Sequence, residues 1–133
     1  METTDYCSYE LSKALKECGF DEPCLTFYDT NKELGRALDT DNFNHLGEAY
    51  QGEWFTDTIS APTLWHAQKW LREKGIAVSV QANEIQGELW YSADIITVKG
   101  INELVDGGFD YMGYEAALSA GIFAALELIK KGE

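Results

Sequence analysis

The stretch from Ser60 to Val80 constrains the fold most, because it reads as a helix, a turn and a strand in unbroken succession. Ser60 suits a helix N-cap and Pro62 the first turn, while Lys74 suits the last turn and Gly75 a left-handed stop. Ile76, Val78 and Val80 then alternate with smaller or polar residues, the period of a strand with one buried face. No residue pattern in the stretch carries recognisable chemistry, so it speaks to fold and not to activity.

The flanking sequence extends this pattern. Cys7, Leu11, Ala14, Leu15 and Cys18 recur at helical spacing, which predicts a helix over 6–18 ended by Gly19. Cys24 to Tyr28 reads as a strand after the turn at Pro23. Residues 29–60 are irregular and acidic, with a short helix expected at Lys32 to Leu38 and a short strand within Gly52 to Asp57. Gln81 to Gln86 reads as a hairpin connection, followed by a long strand over 87–98. Leu89, Tyr91, Ala93 and Ile95 make its apolar face, with Trp90, Ser92 and Asp94 opposite. Gly100 to Gly113 reads as a loop with a short helical turn. A final helix over Tyr114 to Lys130 carries Tyr114, Ala117, Leu118, Gly121, Ile122, Ala125, Leu128 and Ile129 on one face. Short links between neighbouring strands predict an α+β fold with a three- or four-stranded, mainly antiparallel sheet and helices packed on one face. A looser α/β arrangement is the alternative. The 133 residues fit a single domain over 1–133 that includes the irregular segment 29–60.

Charge narrows the classes of partner. The net charge is −13, and residues 61–75 form the one net-basic stretch. Such a chain repels phosphate backbones, so direct nucleic-acid binding is disfavoured. No apolar run is long enough to span a membrane, and the polar, acidic start lacks the features of a secretory signal. A soluble, cytoplasmic protein is the expectation. Three cysteines, an odd number, then point to reduced thiols. On a helix Cys7 and Cys18 would lie about 16 Å apart along the axis, too far to share a disulfide or a metal. The alternation in Asp39-Thr40-Asp41-Asn42-Phe43-Asn44 invites comparison with a calcium loop. It departs from that pattern at Phe43, at Asn44 where a glycine is needed, and at Tyr50 where a glutamate is needed. No metal and no cofactor are expected.

Two large aromatics sit off the core faces of their helices. Trp65 lies beside Lys69 and Arg72, and Phe123 points nearly opposite the inner face of the last helix. Trp65, Lys69, Arg72 and Phe123 therefore form the candidate interaction surface. His66, Trp90 and Asp94 are the candidates for a pocket, because Asp94 interrupts a largely apolar strand and His66 is one of two histidines. The other, His45, falls in the acidic segment. No nucleophile motif, phosphate-binding glycine loop, dinucleotide fingerprint or metalloprotease motif is present. The reading is a non-catalytic binding module whose partner is a protein, including a second copy in a homodimer. Two alternatives stand beside it: an acidic decoy that inhibits a nucleic-acid-binding protein of the host, and a small ligand-binding domain or enzyme.

Three blocks carry a resemblance. They are Cys7-Ser8-Tyr9-Glu10-Leu11 continuing to Gly19-Phe20-Asp21-Glu22-Pro23-Cys24, Ser60-Ala61-Pro62-Thr63-Leu64-Trp65 continuing to Trp70-Leu71-Arg72-Glu73, and Tyr114-Glu115-Ala116-Ala117-Leu118 continuing to Gly121-Ile122. Together they cover roughly half the chain. The sequence resembles small uncharacterised proteins encoded in prophages and mobile elements of anaerobic gut bacteria. The resemblance implies an intracellular accessory protein and carries over no catalytic or binding residue.

Overall fold

The structure is a computed structural model that describes residues 5–44 and 58–132. His45, Tyr50 and the strand expected within 52–57 lie outside the described residues. Contacts gather the chain into two compact units, Met1–Thr63 and Leu64–Glu133. The class is α+β, and its strands are shared between two three-stranded antiparallel sheets.

In the first unit, helix α1 (Tyr9–Glu17) begins where Ser8 accepts a hydrogen bond from the Leu11 N–H at 3.2 Å. Leu11, Ala14 and Leu15 form its buried side. Strand β1 (Cys24–Tyr28) lies between β2 (Leu34–Asp41) and β3 (Ile59–Ser60). The helix expected at Lys32 to Leu38 is instead most of β2, and the reason is local. The Asp29 carboxylate accepts hydrogen bonds from the Asn31 and Glu33 N–H groups at 2.8 and 3.0 Å, and Lys32 adopts φ 63°. These close a hairpin, so the following residues pair with β1, setting Leu34 opposite Tyr28 and Arg36 opposite Thr26.

The Ser60 cap is also replaced by a strand contact. Ser60 pairs with Phe27, and its N–H donates to Asn44 Oδ1 at 2.9 Å. Asn44 is buried and donates to the Phe20 carbonyl at 2.7 Å, while Thr58 donates to the Phe43 carbonyl at 2.9 Å. Within the stretch that suggested a calcium loop, Asp41 thus pairs with Cys24, and the Asn44 side chain is engaged by backbone groups of Phe20 and Ser60.

The second unit opens with α2 (Leu64–Glu73), which buries Leu64, Ala67, Trp70 and Leu71. Gly75 ends it at φ +84°, as the sequence predicts, and a Cβ there would come within 2.8 Å of Val98. Strands β4 (Ile76–Ile85) and β5 (Glu88–Thr97) pair along their full length. The turn Gln86-Gly87 has positive φ at both residues, 51° and 84°. The connection expected over 81–86 is therefore mostly strand. Within 100–113 the chain forms a short strand β6 (Asn102–Leu104), paired with β5, and a tight 3-10 turn at Val105–Gly108. Helix α3 (Tyr114–Lys130) has the predicted limits and packs against β4 and β5.

Register assigns the two faces of this sheet. Ile76, Val78, Ala93 and Ile95 are buried on the face toward α3, while Ile96 and Leu104 are exposed on the other. Gly121 lets α3 approach closely, since a Cβ there would lie 2.4 Å from Val78 Cγ1 and 3.3 Å from Ala93 Cβ. Leu89, predicted on the apolar face, is 60% exposed near the hairpin tip.

Candidate functional site

A concavity of about 500 Å³ lies along α3 beside β6 and the 3-10 turn. Ala120 and Ala124, one helical turn apart, leave room that longer side chains would fill. Phe123 sits between them in sequence, half-buried, and lines the hollow with Leu128. Glu103, Asp106 and Glu127 also line it, together with Lys131. The surroundings are therefore an aromatic ring, three carboxylates and one ammonium.

Two of the carboxylates have neighbours of their own. Asp106 adopts φ 51°, a region that aspartate tolerates better than most residues, and it accepts a hydrogen bond from the Tyr111 hydroxyl. That hydrogen bond, aided by burial and by the Asp106 charge, pushes the Tyr111 phenol up to about 12. Glu127 pairs with Lys130 across one helical turn at 4.0 Å.

A second concavity of about 310 Å³ is lined by Arg72, Gly75, Ile76, Ala77, Ile96, Thr97 and Val98. Its walls are mostly apolar, with Arg72 the one charged residue in the lining.

The structure distributes the sequence-selected residues over several places. Trp65 is 43% exposed and Lys69 is exposed on α2, and neither lines either concavity. Arg72 borders the smaller hollow and Phe123 the larger. Phe123 is thus half-buried beside β6, although the helical wheel sets it nearly opposite the core face. The wheel sees only α3, and the wall formed by residues 103–106 comes from a segment without periodicity.

Trp90 and Asp94 share the sheet face that turns away from α3. Asp94 stands across from Ser79 on one side and Leu104 on the other, and its buried Oδ1 accepts no hydrogen bond among the described residues. His66 is half-buried on α2 and lines neither concavity. The face of Trp90 holds a polar group the sequence did not reveal. Asn83 Nδ2 donates to Ser92 Oγ at 3.0 Å and to Asp110 Oδ1 at 2.8 Å. Asp110 reaches this face because Tyr111 pairs with Tyr91, a bridge that no local pattern announces.

The shifted acids agree in direction. Burial raises the Cys7 thiol, and burial with the nearby Glu22 charge raises the Cys24 thiol to about 12. Burial also raises Tyr28, whose hydroxyl donates to the Cys7 carbonyl at 2.8 Å. With Tyr111, each of these groups is held in its neutral form, the opposite of an activated nucleophile. Among the described residues no helix is long and apolar enough to cross a membrane.

No protein-family model matches the sequence, and neither the curated proteins nor the solved structures include a match to the chain.

Proposed function

We propose that the chain is a non-catalytic interaction module whose α3 hollow receives a basic side chain of a protein partner. The observation that carries this reading is the half-buried Phe123 in a concavity shared with Glu103, Asp106 and Glu127. A guanidinium over an aromatic face gains roughly 0.5–2 kcal/mol, and a planar fork can engage carboxylates at the same time. The net charge of −13 adds long-range attraction for a basic surface. The accessory role implied by the sequence resemblance agrees with a module of this kind. The upward shifts of Cys7, Cys24, Tyr28 and Tyr111 support binding over covalent chemistry.

Titration with N-acetyl-arginine amide, followed by amide NMR shifts, tests the reading. The expected result is saturable shifts at residues 103–106 and 120–131, weakened about three- to thirty-fold by Phe123→Ala. Shifts spread evenly over the acidic surface and indifferent to Phe123→Ala would refute it.

A further inference from the structure

Strand β4 is the outer strand of its sheet, and the hydrogen bonds of its neighbours show which of its backbone groups face outward. Tyr91 of β5 exchanges both its N–H and its C=O with Tyr111, at 2.8 and 2.6 Å. Its partner across β4 is Ala82, so Ala82 cannot share those groups and turns its own N–H and C=O off the open edge. By alternation Val80 and Glu84 do the same. Val78 has the same parity, and its outward carbonyl is already taken by Gln68 Nε2 at 2.8 Å. That contact confirms the phase and marks where α2 stops protecting the edge. Beyond it, Gln81, Ala82, Glu84 and Ile85 are exposed.

Among the described residues this edge lacks the usual safeguards. Ile76 to Ile85 contains no proline, no bulge in its pairing with β5, and Glu84 as its one charged residue. In a chain of net charge −13 it is an unusually neutral strip, so two copies meet here with the least repulsion.

We infer that β4 pairs antiparallel with β4 of a second copy, joining two three-stranded sheets into one of six. A two-fold axis at Ala82 sets Ala82 against Ala82 of the partner subunit and Val80 against Glu84 of the partner subunit. That register engages every outward group of Val80, Ala82 and Glu84 and leaves the Gln68 bond to Val78 intact. It keeps the two Glu84 carboxylates apart, whereas a register centred on Glu84 would oppose them. On the other face Gln81 meets Asn83 of the partner subunit, amide against amide. The edge shares no residue with the α3 hollow, so either reading stands or falls without the other.

The test combines sedimentation equilibrium with cysteine cross-linking of the full chain. The native protein is expected to show a concentration-dependent dimer that tightens as salt screens the acidic charge. Ala82→Pro removes the two central hydrogen bonds and is expected to weaken the dimer about thirty-fold. In a Cys18→Ser background, Ala82→Cys places the new thiols opposite each other, and mild oxidation is expected to give a covalent dimer. Glu84→Cys places them roughly 13 Å apart along the strands, so no cross-link is expected. A monomer at high protein and salt concentration would overturn the inference, as would equal cross-linking of the two cysteine variants. Should Ala82→Pro fail to fold by circular dichroism, the cysteine pair decides alone.

Discussion

Gly121→Ala isolates the contact on which the second unit depends, the close approach of α3 to its sheet. In an isolated helix the substitution would be favourable by about 1 kcal/mol, since alanine is the better helix former. Here the added Cβ would stand 2.4 Å from Val78 Cγ1 and 3.3 Å from Ala93 Cβ. The first distance is far inside van der Waals contact. Val78 is buried and β-branched, so it has little rotamer freedom with which to retreat. Ala93 is a buried Cβ attached directly to backbone and has none. Overpacking costs about 1–3 kcal/mol, and a clash this close belongs to the upper part of that range, so the propensity gain of about 1 kcal/mol leaves a net loss near 1–2 kcal/mol. For a unit of this size that loss lowers Tm by about 4–16 °C. Urea unfolding followed by tryptophan fluorescence measures it, with the m-value as a check that the denatured state is unchanged. Val78→Ala removes the methyl that clashes, so the double variant should be more stable than the two single losses predict, by about 1 kcal/mol of coupling. A Gly121→Ala protein as stable as the parent, or more so, would show that helix propensity wins and that α3 does not approach the sheet this closely.

Four other outcomes follow from single features. Gln86→Asn should stabilise the protein by several tenths of a kcal/mol in thermal melts, because residue 86 has φ 51° and asparagine tolerates that region better. The contribution of Cys24 to stability should be constant below about pH 9, the ordinary value of a thiol, and be lost as pH rises toward about 12, where folded Cys24 titrates. The sign follows because a raised folded pKa means that the folded state holds the proton more tightly, so alkali favours unfolding; urea midpoints across this range measure it. Tyr111→Phe should remove a phenol that titrates near pH 12 from the ultraviolet absorbance titration, since its donation to Asp106 raises it to about 12. Brief alkylation followed by mass spectrometry should modify the half-buried Cys18 before the buried Cys7 and Cys24, whose raised thiols carry little thiolate.

How much of this was legible in the sequence depends on how local the deciding interaction is. Helix α3 was legible to the residue, because Ala117, Leu118, Gly121, Ile122, Ala125 and Leu128 repeat through nearly five turns and nothing competes with them. The α2 stop was legible at Gly75, because a left-handed residue after a helical run has few other uses. Strand β2 was misread because Lys32, Glu33 and Leu34 favour a helix, while the turn made by Asp29 outweighs that preference through two side-chain hydrogen bonds. Ser60 was misread as a cap because its pairing with Phe27 connects positions thirty-three residues apart. No window of sequence contains both partners.

The larger hollow shows the same limit in functional terms. As an aromatic off the core face, Phe123 points to an exposed patch, whereas the structure sets it in the lining of a concavity. The difference is made by Glu103 and Asp106, which sit in a segment whose only local signals are glycines and a short polar run. They reach α3 because β6 pairs with β5 in register, with Glu103 opposite Ile95 and so on the helix side of the sheet. Alternation along β5 was legible, and β6 was not. Once β6 is known, the placement of Glu103 follows from the pleat alone, since a shift of one residue would turn it to the opposite face. The Glu103 carboxylate is therefore fixed by strand register, and a change that slipped β6 by one position would remove it from the hollow without touching Phe123.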